Sequence, residues 1–297
     1  MIGARLGPFN PSLFGRAAPP LDGVPGLFAA SGLRRLVSSY TGPLVRLRRS
    51  SDNAESDFSA GPGAWLDEAA VLAWCGGASA YARTQYGQAG GLDLVMITAA
   101  AQPRLVNAGV METMGGRPAL RFLGAQWLAG SFVEADFTSR VGVSIGSIVV
   151  GQLDAGAAIS DATYWATSTA GGLYRTRVQR NIASAVAGDT TFVSGGAVIA
   201  STGPYPVTET GPHMLEHYLS ATRRAARRDG VAMPERSGVN AAPNTNALRL
   251  VVGRATNGGA TDTNFFLGWL SELVVMGNCS DADVAATGAA LRPAWGL

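Results

Sequence analysis

Alternating apolar and polar residues, interrupted every six to ten positions by Gly, Asn or Asp, dominate the chain from Gly32 onward. "GRPALRFLG" carries one such strand. "VGVSIGSIVVGQL" carries another, with Val143, Ile145 and Ser147 alternating against Ser144, Gly146 and Ile148. In "GLYRTRVQRN" the alternation puts Tyr174, Thr176 and Val178 on one face and Arg175, Arg177 and Gln179 on the other. "TTFVSGGAVIAS", "NALRLVVGR" and "NFFLGWLSELVVMG" also read as strands. "HMLEHYLSATRRAARR" fits a helical as well as an extended period. The Asp-Gly pair that follows it in "RRDGV" is a strong hairpin signal and favours strand.

Helical spacing is confined to two places. "AWLDEAAVLAWCGG" (64–77) has Asp67 and Glu68 in its first turn and ends at Gly76-Gly77. "SDADVAATGAALRPAW" begins on an N-cap at Ser280 or Asp281 and is stopped by Pro293. Many short strands with little helix predict an all-β, β-sandwich domain over 31–297. The leading residues 1–30, rich in Pro and Gly, predict an extended N-terminal arm that docks on a neighbouring subunit, with a disordered leader as the alternative.

Composition narrows the function classes. At 297 residues and 47% hydrophobic content, the chain can bury a large core. A formal net charge of +2 gives no basic excess for nucleic acid. All 23 basic residues are Arg. Two isolated cysteines, Cys75 and Cys279, form neither a zinc pattern nor a disulfide framework, which leaves one bridge or two buried thiols. The N-terminus has no apolar run of signal-peptide form, and no window approaches a membrane span. The expectation is a protein made in the cytoplasm that leaves it, if at all, without a signal peptide.

The stretches "RLVSSYTGPLVRLRRSSDNAESDF", "WCGG", "YARTQYGQAGGLDLVMITAAAQPRLVNAGV" and "GRPALRF" resemble the catalytic domain of α-L-arabinofuranosidase B, glycoside hydrolase family 54. They resemble still more the related domains of phage and prophage virion proteins. "FFLGWLSELVVMGNCSDADVAAT" is similar to the last strand and helix of those domains. The resemblance covers residues 33–125 and 245–295 and implies a concanavalin A-like, laminin-G-like jelly roll. Two departures bear on chemistry. Where the family reads Tyr-Asp-Gln-Ser-Gly-Asn-Gly, this chain has Tyr86-Gly87-Gln88-Ala89-Gly90-Gly91-Leu92. Where the hydrolases carry Gly-Asp-Asn-Ser, it has Gly253-Arg254-Ala255-Thr256-Asn257, without a carboxylate.

Glycoside hydrolysis needs two carboxyl groups facing each other across the scissile bond, ~5–5.5 Å apart for retention and ~6.5–9.5 Å for inversion. Asp52, Glu55, Asp57, Asp93, Asp262 and Glu272 are candidates. Asp52 sits in a Ser-Ser-Asp-Asn turn beside Arg48 and Arg49, which reads as scaffolding. Glu272 lies on an apolar strand, on the face of Phe266, Leu270 and Val274, and must be paired; Arg121 is the expected partner. Glu272 is the one weak catalytic candidate. His213 and His217, four apart, make a thin metal pair, so neither a metal nor a cofactor is expected. Trp165, Tyr174, Arg175, Arg177 and Trp269 have the chemistry for sugar binding.

The degraded motifs and the absent signal favour a structural virion component over an enzyme. That component would be a tail-fibre, tail-tip or capsid-decorating subunit located in the virion, made in the host cytoplasm. It would be joined to other virion proteins through the arm, bind a host-surface glycan, and form a homo-oligomer, a trimer by analogy with fibres. Neither nucleic acid nor membrane insertion is expected. An arabinofuranosidase-type hydrolase is the alternative.

Overall fold

The computed structural model of the chain describes residues 19–154, 161–168, 174–181, 188–193, 197–200, 211–233, 247–255 and 264–297. Its strands pair antiparallel throughout and stack as the two layers of a β-sandwich. In one layer Arg224–Arg228, His213–Ser220, Ser144–Leu153 and Leu267–Gly277 lie side by side. The Leu267–Gly277 strand is flanked beyond by Leu120–Leu123 along its first half and Leu27–Ser31 along its second. In the other layer the order is Glu55–Phe58, Val45–Arg49, Ala80–Gln85, Leu94–Val95, Leu128–Ser131, Arg249–Val252 and Asp161–Ser168. Tyr174–Asn181, Gly188–Val193 and Ala197–Ala200 continue it. Arg104–Asn107 joins the layers, pairing with both Ala80–Gln85 and Leu120–Leu123.

Two apolar clusters result. The larger lies between the layers and contains Leu47, Leu105, Phe122, Trp165 and Phe266. The smaller lies on the outer side of the Ser144–Leu153 and Leu267–Gly277 strands. There Ile148, Val150, Val274 and Met276 pack beneath the C-terminal helix through Val284, Leu291 and Trp295. Those two strands are therefore buried on both faces, which is why their sequences are nearly unbroken apolar runs.

Local chemistry sets the helix ends. Helix α1 (Glu68–Cys75) starts where Asp67 accepts from Ala70 N at 3.0 Å and stops at Gly76 in the left-handed region. Helix α2 (Glu134–Val141) is not foreseen in the alternation reading: it is two turns long, with Phe137 and Val141 as its buried stripe. Helix α3 (Asp281–Leu291) has Ser280 as N-cap, with Asp283 reciprocating, and runs into a 3-10 turn at Arg292–Trp295. The ambiguous 213–228 segment forms two strands, and Asp229-Gly230, both at positive φ, makes the two-residue turn expected of that pair.

Residues 1–18 of the expected arm lie outside the described residues. Within 19–30, Leu21 and Phe28 are buried and Leu27–Ser31 is a strand of the sandwich. Cys75 and Cys279 are both free and buried, so the bridge is not formed. No helix among the described residues is long and apolar enough to cross a membrane.

Candidate functional site

Glu272 is sealed inside the molecule. Arg34 grips its carboxylate, with Nε at 2.6 Å from Oε1 and Nη2 at 3.2 Å from Oε2. Trp295 Nε1 donates to Oε1 at 3.0 Å. The expected partner, Arg121, is bound instead to Asp154. The face was misjudged as well. Strand register slips between Val150 and Gly151, where the partner count skips Ser271. That bulge turns Glu272 and Val274 outward while Leu270 and Phe266 stay between the layers.

The sugar-contact candidates separate. Trp165 is 1% exposed in the inter-layer core, so it cannot face a ligand. Arg177 is buried at 5%, because both sides of the Tyr174–Asn181 strand are covered where it is described. The side chains of Tyr174 and Arg175, and residue Asp262, lie outside the described residues. Among those candidates whose side chains are described, only Trp269 is half-buried.

The charges of 44–58 are mutually satisfied. Arg46 holds Asp57 through two 2.8 Å bonds, and Tyr86 OH donates to the same carboxylate at 2.8 Å. These partners keep Asp57 below the ordinary carboxylate range, while burial and Asp57 push the Tyr86 phenol up to about 12. Arg49 pairs with Asp52, Arg83 with Glu55, and Arg48 bonds Gln102 and Asn53. The departed 86–92 motif is also framework. A side chain at Gly87 would strike the Leu92 backbone, and its N–H donates to Asp93 at 2.9 Å. Gln88 is buried, donating to Gly32 O and Arg34 O and accepting from Leu36 N. In the second departed stretch, Arg254 stacks on Trp127 at 3.9 Å.

His213 Nδ1 lies 2.8 Å from Asp229, and His217 is buried without a hydrogen-bond partner for either ring nitrogen among the described residues. Burial lowers the His217 pKa to about 4. No three His, Cys, Asp or Glu among the described residues converge on a metal position.

Besides the exposed Asp57–Tyr86 group, the described residues gather acidic and aromatic side chains around Trp269. Register places Trp269 directly beside Arg121, and the guanidinium stacks 3.8 Å from the indole centroid. Arg121 also clasps Asp154, the residue that follows the Ser144–Leu153 strand, with Nη1 at 2.6 Å from Oδ1. At the indole's edge Trp269 Nε1 donates to Glu112 Oε2 at 3.2 Å, and Arg104 Nε donates to Glu112 Oε1 at 2.8 Å. Two half-buried carboxylates are thus linked to one aromatic ring, Glu112 through its N–H and Asp154 through Arg121, and each is held by a guanidinium. Neither Glu112 nor Asp154 stood out in the sequence. Glu112 lies in a short loop, and Asp154 gains meaning only from Arg121, 33 positions away. The alternation of "VGQLD" and the lone charge in "ALRF" were the available signals.

The family model described as "Alpha-L-arabinofuranosidase B, catalytic" matches residues 21–175. Among solved structures, an arabinofuranosidase complexed with arabinofuranosyl-alpha-1,2-xylobiose superposes with a TM-score of 0.67 at 14% identity. The match covers 91% of this chain and 63% of that one. A mutant of a glycoside hydrolase family 54 α-L-arabinofuranosidase soaked with 4-nitrophenyl α-L-arabinofuranoside gives 0.64 at 15% identity with the same coverages. A family 54 enzyme soaked with a cyclic sulfate inhibitor gives 0.60 at 15%, again over 91% and 63%. At such identities the likeness establishes the fold, and the chain spans less than two thirds of these proteins. No curated protein matches the sequence.

These matches correct two expectations. A structural virion component, whether tail fibre, tail tip or capsid decoration with host attachment, finds no support in them. The expectation that the chain is not an enzyme is overturned too, because the matched family is that of a catalytic domain. The degraded 86–92 stretch misled because it packs the framework, so losing side chains there says little about catalysis.

Proposed function

The chain belongs to the family of α-L-arabinofuranosidase B catalytic domains, and from this we propose that it is a glycoside hydrolase releasing arabinofuranosyl groups from larger saccharides. The observation that carries the reading is the family match over 21–175, which includes both Glu112 and Asp154. The sandwich shared over 91% of the chain with solved arabinofuranosidases is consistent with it.

Chemically, the reaction needs one carboxyl to protonate the departing oxygen and a second to stabilise or attack the anomeric carbon. Arg254 occupies the place of the acid implied by the resemblance, so this function must draw its carboxyls from elsewhere. Glu112 and Asp154 are our candidates because both are half-buried and joined to the Trp269 indole, Glu112 through the ring N–H and Asp154 through Arg121. Substrate entering between them would displace Arg121 from the indole, leaving Asp154 with a charged neighbour and Glu112 with the indole N–H. Glu272 and Glu216 are excluded from the role by their burial beneath the C-terminal segment.

The test is release of 4-nitrophenol from 4-nitrophenyl α-L-arabinofuranoside. Turnover is expected, with a loss of about a hundredfold or more in Glu112→Gln or Asp154→Asn, both checked for native circular dichroism. No turnover by the unsubstituted protein would overturn the hydrolase reading. Turnover surviving both substitutions would leave that reading standing and move the site away from Trp269.

A further inference from the structure

Strand register carries the Trp269 surface well beyond a single sugar. Across successive strands Arg48 is opposite Tyr81, Tyr81 opposite Arg104, Arg104 opposite Arg121, Arg121 opposite Trp269, and Trp269 opposite Gln152. Directly opposed residues share one face of a sheet. The residues adjoining them in each strand, among them Leu47, Ala82, Leu105, Phe122, Leu270 and Leu153, belong to the core between the layers. All six opposed residues therefore point outward, and each is half-buried. The result is one stripe, crossing six strands, made entirely of guanidinium, aromatic and amide groups. With neighbouring strands ~4.8 Å apart, Tyr81 and Trp269 stand three steps, roughly 14 Å, from each other.

The Tyr81 end of the stripe is hollow. A recess of about 420 Å³ opens there, with Arg48, Ser50, Tyr81, Gln102 and Gln126 around it. Its polar frame is rigid. Arg48 stacks at 5.1 Å from the Tyr81 centroid and donates to Gln102 Oε1 at 2.8 Å, while buried Gln102 donates to Met96 O at 2.8 Å. Gln126 Oε1 accepts from Leu123 N and Ala125 N, which fixes its amide with the NH2 group turned away from them. Among the described residues the Tyr81 hydroxyl makes no hydrogen bond. A fixed aromatic ring, an unengaged hydroxyl and an amide donor at the mouth of a recess match what a polyol ring needs.

We infer that the Tyr81 recess is a second saccharide subsite, binding the backbone of a polymeric substrate whose arabinofuranosyl branch lies at Trp269. The inference rests on the arabinofuranosidase reading for the identity of the sugar, but not on cleavage taking place. It is tested by electrophoresis of the full chain in gels containing soluble arabinoxylan. Retardation is expected for the unsubstituted protein, weaker by about tenfold in apparent affinity for Tyr81→Ala, and weakened less by Tyr81→Phe, which keeps the ring and loses the hydroxyl. Asp136→Ala, on helix α2 at the Gly277 end of the last strand and remote from the stripe, serves as the control. Unaltered retardation of a folded Tyr81→Ala variant, or no retardation of the unsubstituted protein, would overturn the subsite. Failure of the hydrolase reading shows separately, as absence of 4-nitrophenol release whatever the gels report.

Discussion

Two sets of carboxylates on the same outer side of the sandwich have opposite fates. Glu216 and Glu272 lie under the C-terminal segment and are 0% and 2% exposed. Glu112 and Asp154 sit at the end of the same layer, beyond that cover, and remain half-buried. All four have guanidinium partners, so pairing alone does not distinguish a fastener from a reactive group. Access does. Under the helix, Arg292 binds Glu216 while Trp295 and Arg34 bind Glu272, so the four-residue turn Arg292–Trp295 is held by two buried anions. At its start helix α3 is tied down by Arg223 and Arg227, each 2.6 Å from Asp281. Around Trp269 the same kinds of bond leave the carboxylates half-buried.

The comparison is broken most forcibly at the buried pair. Arg34→Ala strands Glu272 in an apolar layer and is expected to cost about 3–5 kcal/mol in urea or thermal unfolding. An effect near zero would mean the C-terminal cover does not seal that layer. Next comes acidity. His217 in the folded protein titrates at about 4, against ~6.5 when unfolded, so its contribution is present above pH 6.5 and is lost as pH falls toward 4. The expected loss is about 3 kcal/mol, absent in His217→Gln. Glu216 works the other way: burial raises its pKa against the pull of Arg292, so its contribution grows on acidification. Unfolding at several pH values with both variants separates the two. Gly288→Ala is expected to cost about 1–3 kcal/mol, since a methyl there meets the Glu216 carboxylate directly. Smallest is Arg121→Ala beside Trp269, which removes a stacking contact and the partner of half-buried Asp154 and is expected to cost about 1–2 kcal/mol.

How far these contrasts were legible in the sequence depends on their range. Asp67, Gly76, Ser280 and Asp229-Gly230 act within a few residues, and their capping and turn roles follow from local chemistry. The sandwich follows from strand alternation. Helix α2 escaped because two turns offer only Phe137 and Val141 as a stripe, and Val133 at its N-cap gives no side-chain bond. The partner of Glu272 lies 238 positions away, and a single bulge reversed the side it faces. Trp165 and Arg177 stood as sugar-contact candidates on residue type, because alternation reports which residues share a face, not whether both faces are covered. The stripe from Arg48 to Gln152 is invisible for the same reason: each member is an ordinary polar position until the ladder aligns them.

Cys279 gives the C-terminal cover a built-in reporter. Its thiol lies buried beside Gly146, close to Val284 of helix α3, and burial pushes its pKa up to about 11. While the helix stays seated, an alkylating reagent meets a protonated, inaccessible sulfur. The rate at which iodoacetamide modifies this cysteine therefore counts how often the chain's last turns lift away, with no probe added to the protein.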